Sequence, residues 1–217
     1  MFTLAEENYL KAIFHLENDN KAEVSTNAIA IKMNTKPSSA TDMVQKLAEK
    51  KVVSYQKYKG AFLTKKGKKI AANVIRKHRL WEVFLVEKLN FQWDEVHDIA
   101  EQLEHIKSDE LIERLDKFLD HPNFDPHGDP IPDKNGLIKP SDKKLLSELK
   151  ENEKGICVGV KESNSQFLQY LDKLSISIGT KIKVLNVEEF DGSITIEVAG
   201  KPSFISELSA KNIYVIN

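Results

Sequence analysis

The sequence predicts a mainly α-helical protein that ends in a β-rich module. Three observations carry this. Apolar residues recur at helical spacing through the first 120 residues, five prolines and two glycines crowd residues 120–140, and the pattern changes to alternation after Gly155. A chain of 217 residues has room for one to three small domains. The expected boundaries are 1–72 for a winged helix-turn-helix, 73–140 for a helical domain and 150–217 for a small β-barrel.

Ala5 to Glu17 forms an amphipathic helix with Tyr9, Leu10, Ile13, Phe14 and Leu16 on its apolar face, and the polar stretch Asn18 to Lys21 ends it. Ser25 or Thr26 caps a short helix, Asn27 to Met33. Asn34 and Thr35 turn the chain. Pro37 then opens a third helix, where its missing N–H does no harm, and Ala40, Met43, Val44 and Leu47 face inward along it to about Lys50. Val53 and Tyr55 alternate, Lys59-Gly60 turns, and Phe62 and Leu63 return, which is a β-hairpin. Thr64 caps a long helix from Lys65 to Leu89. Helix, short helix, turn, helix, hairpin is the order of a winged helix-turn-helix.

Asp94 starts a further helix to about His105, and Ser108 caps another that runs to Leu119. Leu111, Ile112, Leu115, Phe118 and Leu119, with Leu80, Phe84, Leu85 and Leu89 upstream, offer apolar surface both for the domain's own core and for helix-to-helix dimerisation. The prolines of residues 120–140 exclude a continuous helix or strand there. A short helix follows from about Lys143 to Leu149. The strands are ICVGV, TKIKVLNV, SITIEVAG and IYVIN, with a helix inserted from Ser163 to Leu174 and a hairpin turn at Asp191-Gly192.

Cys157 is the single cysteine, which excludes an internal disulfide and fits a reducing compartment; it is expected in a strand core. There is no signal peptide and no apolar run of membrane-spanning length, so the expectation is a soluble cytoplasmic protein without membrane contact. The net charge of -1 hides an asymmetry. Residues 1–80 hold 16 Lys/Arg and 7 Asp/Glu, a balance of +9, and residues 81–217 hold 16 and 26, a balance of -10. A basic first third suits a polyanion.

His78 and Glu82 are one helical turn apart, and His97, Glu101, Glu104 and His105 share one stripe of a second helix. Imidazoles and carboxylates converging from two helices suit a divalent transition metal such as Mn, Fe, Co, Ni or Zn. His121, Asp125, His127 and Asp129 have ligand chemistry too, but proline-rich loops use Asp and His to build turns, and these are expected to be structural. His15 is expected on a helix surface.

The motifs EENYLKAIF, PSSATDMVQKLAEKK, YKGAFLTKKGKKIA, RKHRLWEVFL, VHDIAEQLEH and DPHGDPIP, in this order, resemble the diphtheria-toxin-repressor family of metal-dependent regulators, which includes the manganese transport regulators. The resemblance covers nearly the whole chain. It implies a winged helix, a helical dimerisation and metal domain, and an SH3-like barrel. It also implies two adjacent metal sites, one using His78, Glu82 and His97, the other Glu101, Glu104, His105 and the first-helix position Asn8. Iron-responsive relatives carry Met at the position of Asn8 and Cys at that of Glu101; manganese-responsive ones carry Asp and an acidic residue. Glu101 therefore leans towards an oxygen-rich Mn(II) site, while Asn8 offers only a neutral carbonyl. Lys11 stands where some manganese sensors have a further carboxylate, which argues against their closely spaced two-manganese arrangement. The barrel of three-domain relatives can donate a ligand, which makes Gln166 a candidate, with Glu162 or Ser163 at the neighbouring position.

In the third helix Pro37, Ser38, Ser39, Thr41, Asp42 and Gln45 can face bases or phosphates, Gln45 being suited to a base edge. Lys36, Lys46, Lys57, Lys59 and Lys65 are phosphate candidates. Tyr58 packs either on the sugar-phosphate backbone or on the hairpin. The expected function is a homodimeric repressor, activated by Mn(II) or Fe(II) with Zn, Co or Ni able to bind in vitro. It binds palindromic double-stranded operator DNA and controls metal uptake genes. Two alternatives are a winged-helix regulator that responds to a small molecule, and a metal-dependent hydrolase fused to a DNA-binding domain.

Overall fold

The computed structural model describes residues 2–20, 24–56, 59–138 and 142–216. The chain divides into two compact units. One comprises Met1–His78, Glu101–Asp109 and Pro132–Ile138, the other Arg79–Ala100, Glu110–Ile131 and Lys139–Asn217.

The first unit contains α1 (Leu4–Asn20), α2 (Thr26–Lys32), α3 (Pro37–Glu49), β1 (Val53–Gln56), β2 (Gly60–Leu63) and the first part of α4 (Lys65–Leu89). Helix α1 outruns its expected end at Glu17 by three residues, because Asn and Asp are weak helix formers rather than breakers. Ser25 decides the start of α2: its hydroxyl accepts the Ala28 N–H at 3.1 Å. Thr64 does the same for α4, accepting from Gly67 at 3.2 Å. Strands β1 and β2 pair antiparallel, Val53 opposite Leu63, and Val24 adds a single bridge to Ala61. The core is Leu10, Ile13, Ile29, Ala40, Val44, Leu47, Val52 and Leu63, all buried; of the predicted inward face of α3, Met43 alone is half-buried, packed against this core.

A charge clamp fixes α3 to α1. Glu6 is fully buried on α1, accepts from Lys50 Nζ at 2.7 and 2.8 Å, and pairs with Lys46 Nζ at 3.1 Å. Burial opposes ionisation of Glu6, but Lys50, the Thr3 N–H and Lys46 outweigh it and bring its pKa down from 4.5 to about 2.

The second unit holds the rest of α4, the start of α5 (His97–Leu103), most of α6 (Asp109–Phe118) and the whole β-rich module. Asn90, with φ 57°, ends α4 in the left-handed conformation. Helix α5 starts three residues later than expected. Glu95 folds back so that its carboxylate accepts the Gln92 N–H at 2.9 Å, which makes a turn of the residues before His97. In α6, Ile112 and Leu115 are buried, as is Leu119 just past its end, while Leu111 and Phe118 are exposed, as is Leu89 on α4. The apolar face is thus divided between core and surface.

The helix expected over residues 143–149 is instead β3 (Lys144–Leu145) followed by a single 3-10 turn, Leu146–Glu148. The Glu148 carboxylate accepts the Leu145 N–H at 2.9 Å, and Leu146 is drawn into the β core. The module continues with β4 (Lys154–Val160), α7 (Ser165–Lys173), β5 (Lys181–Val187), β6 (Ile194–Val198), β7 (Lys201–Ile205), α8 (Glu207–Ala210) and β8 (Ile213–Ile216). Its sheet is antiparallel throughout, in the order β3-β8-β4-β5-β6-β7. Strand β7 and helix α8 have no counterpart among the predicted elements. β7 is an edge strand that exposes Phe204 and tolerates Pro202, so it lacks the alternation that marks the inner strands.

The Glu6 clamp has a measurable acid signature. A carboxylate whose pKa is depressed on folding contributes stability above its unfolded value, here 4.5, and loses it as pH falls towards about 2. Lys46 and Lys50 are partly exposed, 53% and 37%, so solvent screens the pair. Glu6→Gln should cost about 1–2 kcal/mol at pH 7 in urea unfolding, and the difference from wild type should shrink steadily as the titration is repeated from pH 5 towards pH 2.

Candidate metal centre

Glu82 lies in α4, 2% exposed. Two imidazoles face it within the second unit. His97, which opens α5, places Nδ1 3.6 Å from Glu82 Oε1, and His127, from the proline-rich loop, places Nδ1 3.6 Å from Glu82 Oε2. Donors that each lie about 2 Å from one ion are at most about 4 Å apart, and both spacings meet this limit.

The His127 ring is fixed from behind. Its Nε2 donates to the Trp93 carbonyl at 2.8 Å and the ring stacks on Trp93 with centroids 6.3 Å apart. With the proton held at Nε2, the neutral ring presents a lone pair at Nδ1 towards Glu82. Asp125 completes the group: ligand atoms of Glu82, Asp125 and His127 all lie within 4.8 Å of one another, and all three residues are buried. Asp125 also builds the turn expected of it. Its Oδ1 accepts the N–H groups of His127 at 2.8 Å and Asp129 at 3.0 Å, while Oδ2 lies 3.3 Å from Arg79 Nε. Arg79 holds Asp129 as well, at 3.1 Å. These loop residues are therefore both turn formers and potential ligands. Their only sequence signal is the DPHGD spacing, which is compatible with either role.

Burial and the Glu82 charge push Asp125 up to about 6, against the pull of Arg79. Burial alone would lower His127, but Glu82 and Asp125 outweigh it and raise it to about 9.

The backbone next to His127 is tightly set. Val160 of β4 donates to the His127 carbonyl at 2.9 Å. Gly128 has φ +82°, and a Cβ there would lie 1.8 Å from the Val158 carbonyl oxygen.

The first unit gathers the second predicted set differently. Glu104, 1% exposed, accepts from Lys11 Nζ and meets His78 Nδ1, each at 2.6 Å. Lys11 Nζ is also 3.7 Å from Glu101. His105 Nδ1 meets Glu7 at 2.7 Å, so the α1 residue beside it is Glu7; Asn8 is half-buried one position further on. Burial raises the Glu104 pKa, but His78 and Lys11 overcome this and hold the carboxyl below its ordinary value. The donor set of this second group thus already contains an ammonium, and it does not fit a divalent ion as the first group does. His78 stands one turn before Glu82 on α4. Gln166 is exposed in the first turn of α7, Glu162 is exposed and Ser163 half-buried just before it.

On the nucleic-acid side, Pro37, Ser38 and Ser39 are exposed in the first turn of α3, with Lys36 exposed at its N-cap and Asp42 and Gln45 exposed along it. Thr41 commits its hydroxyl proton to the Pro37 carbonyl at 2.9 Å. Lys46 is exposed but shared with Glu6. Lys59 and Lys65 are exposed on either side of β2, whereas Lys57 and Tyr58 lie outside the described residues.

Residues 1–61 match the family model "Iron dependent repressor, N-terminal DNA binding domain" and residues 64–133 "Iron dependent repressor, metal binding and dimerisation domain". Residues 144–217 match the FeoA domain. The HTH-type transcriptional regulator MntR of Oceanobacillus iheyensis is 36% identical over 146 residues, 67% of this chain and 96% of that protein. The chain belongs to the iron-dependent repressor family. The Iron-dependent repressor IdeR of Mycobacterium bovis is 32% identical over 133 residues, 61% of this chain and 56% of that one. A solved structure described as a manganese-dependent transcriptional repressor in complex with manganese superposes with a TM-score of 0.87 at 34% identity, covering 97% of this chain and 99% of its own. As a member of this family the chain is a metal-dependent transcriptional repressor with a DNA-binding and a dimerisation domain, and not an enzyme. Its β-rich end is the SH3-like FeoA module. No helix among the described residues is long and apolar enough to cross a membrane.

The Gly128 contact tests how firmly the loop is seated. Gly128→Ala should lower the unfolding free energy by more than about 2 kcal/mol, read by urea denaturation of the full chain. A wild-type midpoint would mean that the loop does not depend on its close approach to β4.

Proposed function

We propose that this repressor is activated by Mn(II) or Fe(II) bound at Glu82, with Zn, Co or Ni able to enter the same donors in vitro. The observation that carries the reading is a buried carboxylate faced by two imidazoles at 3.6 Å. His78, one turn before Glu82, joins Glu82 and His97 in this reading, and Asp125 and His127 add donors from the loop. Gln166, or Glu162 or Ser163 beside it, is the candidate from the FeoA module. Glu101 and Glu104 are tied to Lys11 of α1, and His105 to Glu7, so this reading places no ion on them or on Asn8.

A bound ion supplies positive charge that draws these donors together. The chain's own residues do the rest. Trp93 holds the His127 proton away from Glu82, and Arg79 keeps Asp125 turned towards the group. The three expected segments then divide the work: 1–72 binds DNA, 73–140 senses metal and dimerises, and 150–217 supports the loop. Ser38, Ser39 and Gln45 enter the major groove, Pro37 sets the start of α3, and Thr41 offers its methyl group. Lys36, Lys46, Lys57 and Lys59 meet phosphates. The exposed Leu89, Leu111 and Phe118 suit a homodimer face, and a two-fold dimer reads a palindromic operator with half-sites one helical turn apart. The regulated genes are those of metal uptake, and the protein works in the cytoplasm.

Metal and operator then favour the same state, and each tightens the other by the same factor. Fluorescence anisotropy with DNA from upstream of the protein's own gene tests this. Mn(II) or anaerobic Fe(II) should tighten wild-type binding by roughly 5–150-fold, and Glu82→Gln should bind the DNA equally with metal or chelator. A wild-type metal response in Glu82→Gln would overturn the assignment.

A further inference from the structure

We propose that the Lys11 ammonium is a built-in cation that takes the place of a metal ion between α1 and α5, so that this second group is closed by the protein itself. The Lys11 side chain is 13% exposed and its Nζ lies 2.6 Å from Glu104, 3.3 Å from His78 Nδ1 and 3.7 Å from Glu101. Glu104 is 1% exposed, and a carboxylate that deep requires a positive partner. Lys11 is that partner, carried on the neighbouring helix. A divalent ion at the same two carboxylates would sit within a few ångström of a fixed like charge, which disfavours it. Asn8, half-buried on α1, brings no compensating negative charge.

The same network has a second effect. The shortest contact of His78 Nδ1 is to Glu104 at 2.6 Å, so Nδ1 carries the proton and donates, and the lone pair is left on Nε2. Glu104 is thus a positioning residue for His78, and Lys11 acts on His78 through Glu104. This second effect rests on the reading that His78 and Glu82 share an ion; the stand-in role of Lys11 does not.

The test counts bound Mn(II) per protomer on the full chain, by electron paramagnetic resonance of the free ion. Wild type, Lys11→Glu, Glu82→Gln and the double variant are compared. Lys11→Glu replaces the ammonium by a third carboxylate and should bind one more Mn(II) per protomer than wild type. The double variant should keep that added ion. Equal stoichiometry in wild type and Lys11→Glu, or loss of an ion from wild type on Glu101→Ala, would overturn the proposal. Thermal melting of Lys11→Met gives a readout independent of stoichiometry. With Glu104 left without its cation, the melting temperature should fall in chelator and recover with Mn(II) more than wild type gains. An unchanged melting temperature in chelator would also overturn it. If Glu82→Gln binds as many ions as wild type, the Glu82 assignment fails, and the Lys11 comparison still stands or falls by itself.

Discussion

A carboxylate taken out of water has to meet a positive charge, and most of the polar architecture of this chain follows from that requirement. Glu6 meets Lys46 and Lys50, and the meeting fixes α3 to α1. Glu104 meets Lys11, and Asp125 meets Arg79. These ammonium and guanidinium groups belong to the protein. Glu82 faces the imidazoles of His97 and His127 instead. An imidazole can match a carboxylate as a protonated partner, or give up the proton and share a metal ion with it. The fold therefore contains buried carboxylates matched by lysine or arginine and others, Glu82 and Glu7 among them, that face imidazoles, whose partnership can change with solution conditions.

Much of this was legible in the sequence, for local reasons. The order of the winged helix was set by residues that act on their own neighbours: Ser25 and Thr64 as caps, Pro37 at a helix start, Lys59-Gly60 in a turn. The grouping of His78 with Glu82 was legible because spacing alone puts them on one face of α4. What failed depended on distant contacts. Residues 143–149 have helical composition, yet Lys144 and Leu145 pair with β8 and Leu146 is buried in the sheet core. β7 is held by its neighbour β6 rather than by its own pattern.

The same division applies to the site. Nothing within DPHGD says that His127 will face Glu82. That follows from the seating of Gly128 against β4 and from a hydrogen bond to Trp93, both outside the local sequence. Lys11 was visible as an unusual residue for its position, but its short contact to Glu104 joins residues 93 apart in the chain. Sequence spacing names candidates within one helix well. It cannot say which carboxylate will be claimed by a lysine and which left for an ion.

The donor chemistry also bears on which ion the Glu82 group would take. Its members are carboxylates and imidazoles. The single cysteine, Cys157, is buried in β4, where its thiol donates to the Gly159 carbonyl and burial raises its pKa, so no thiolate contributes. An oxygen- and nitrogen-rich set accepts Mn(II) and Fe(II), but the general affinity order still places Zn(II) and Cu(II) above both at a site of this kind. Discrimination then cannot come from the donors alone. It must come from how rigidly they are held and from which ion the cell leaves free. Trp93 behind His127 and Arg79 behind Asp125 supply that rigidity, since each fixes the direction of a donor before any ion arrives.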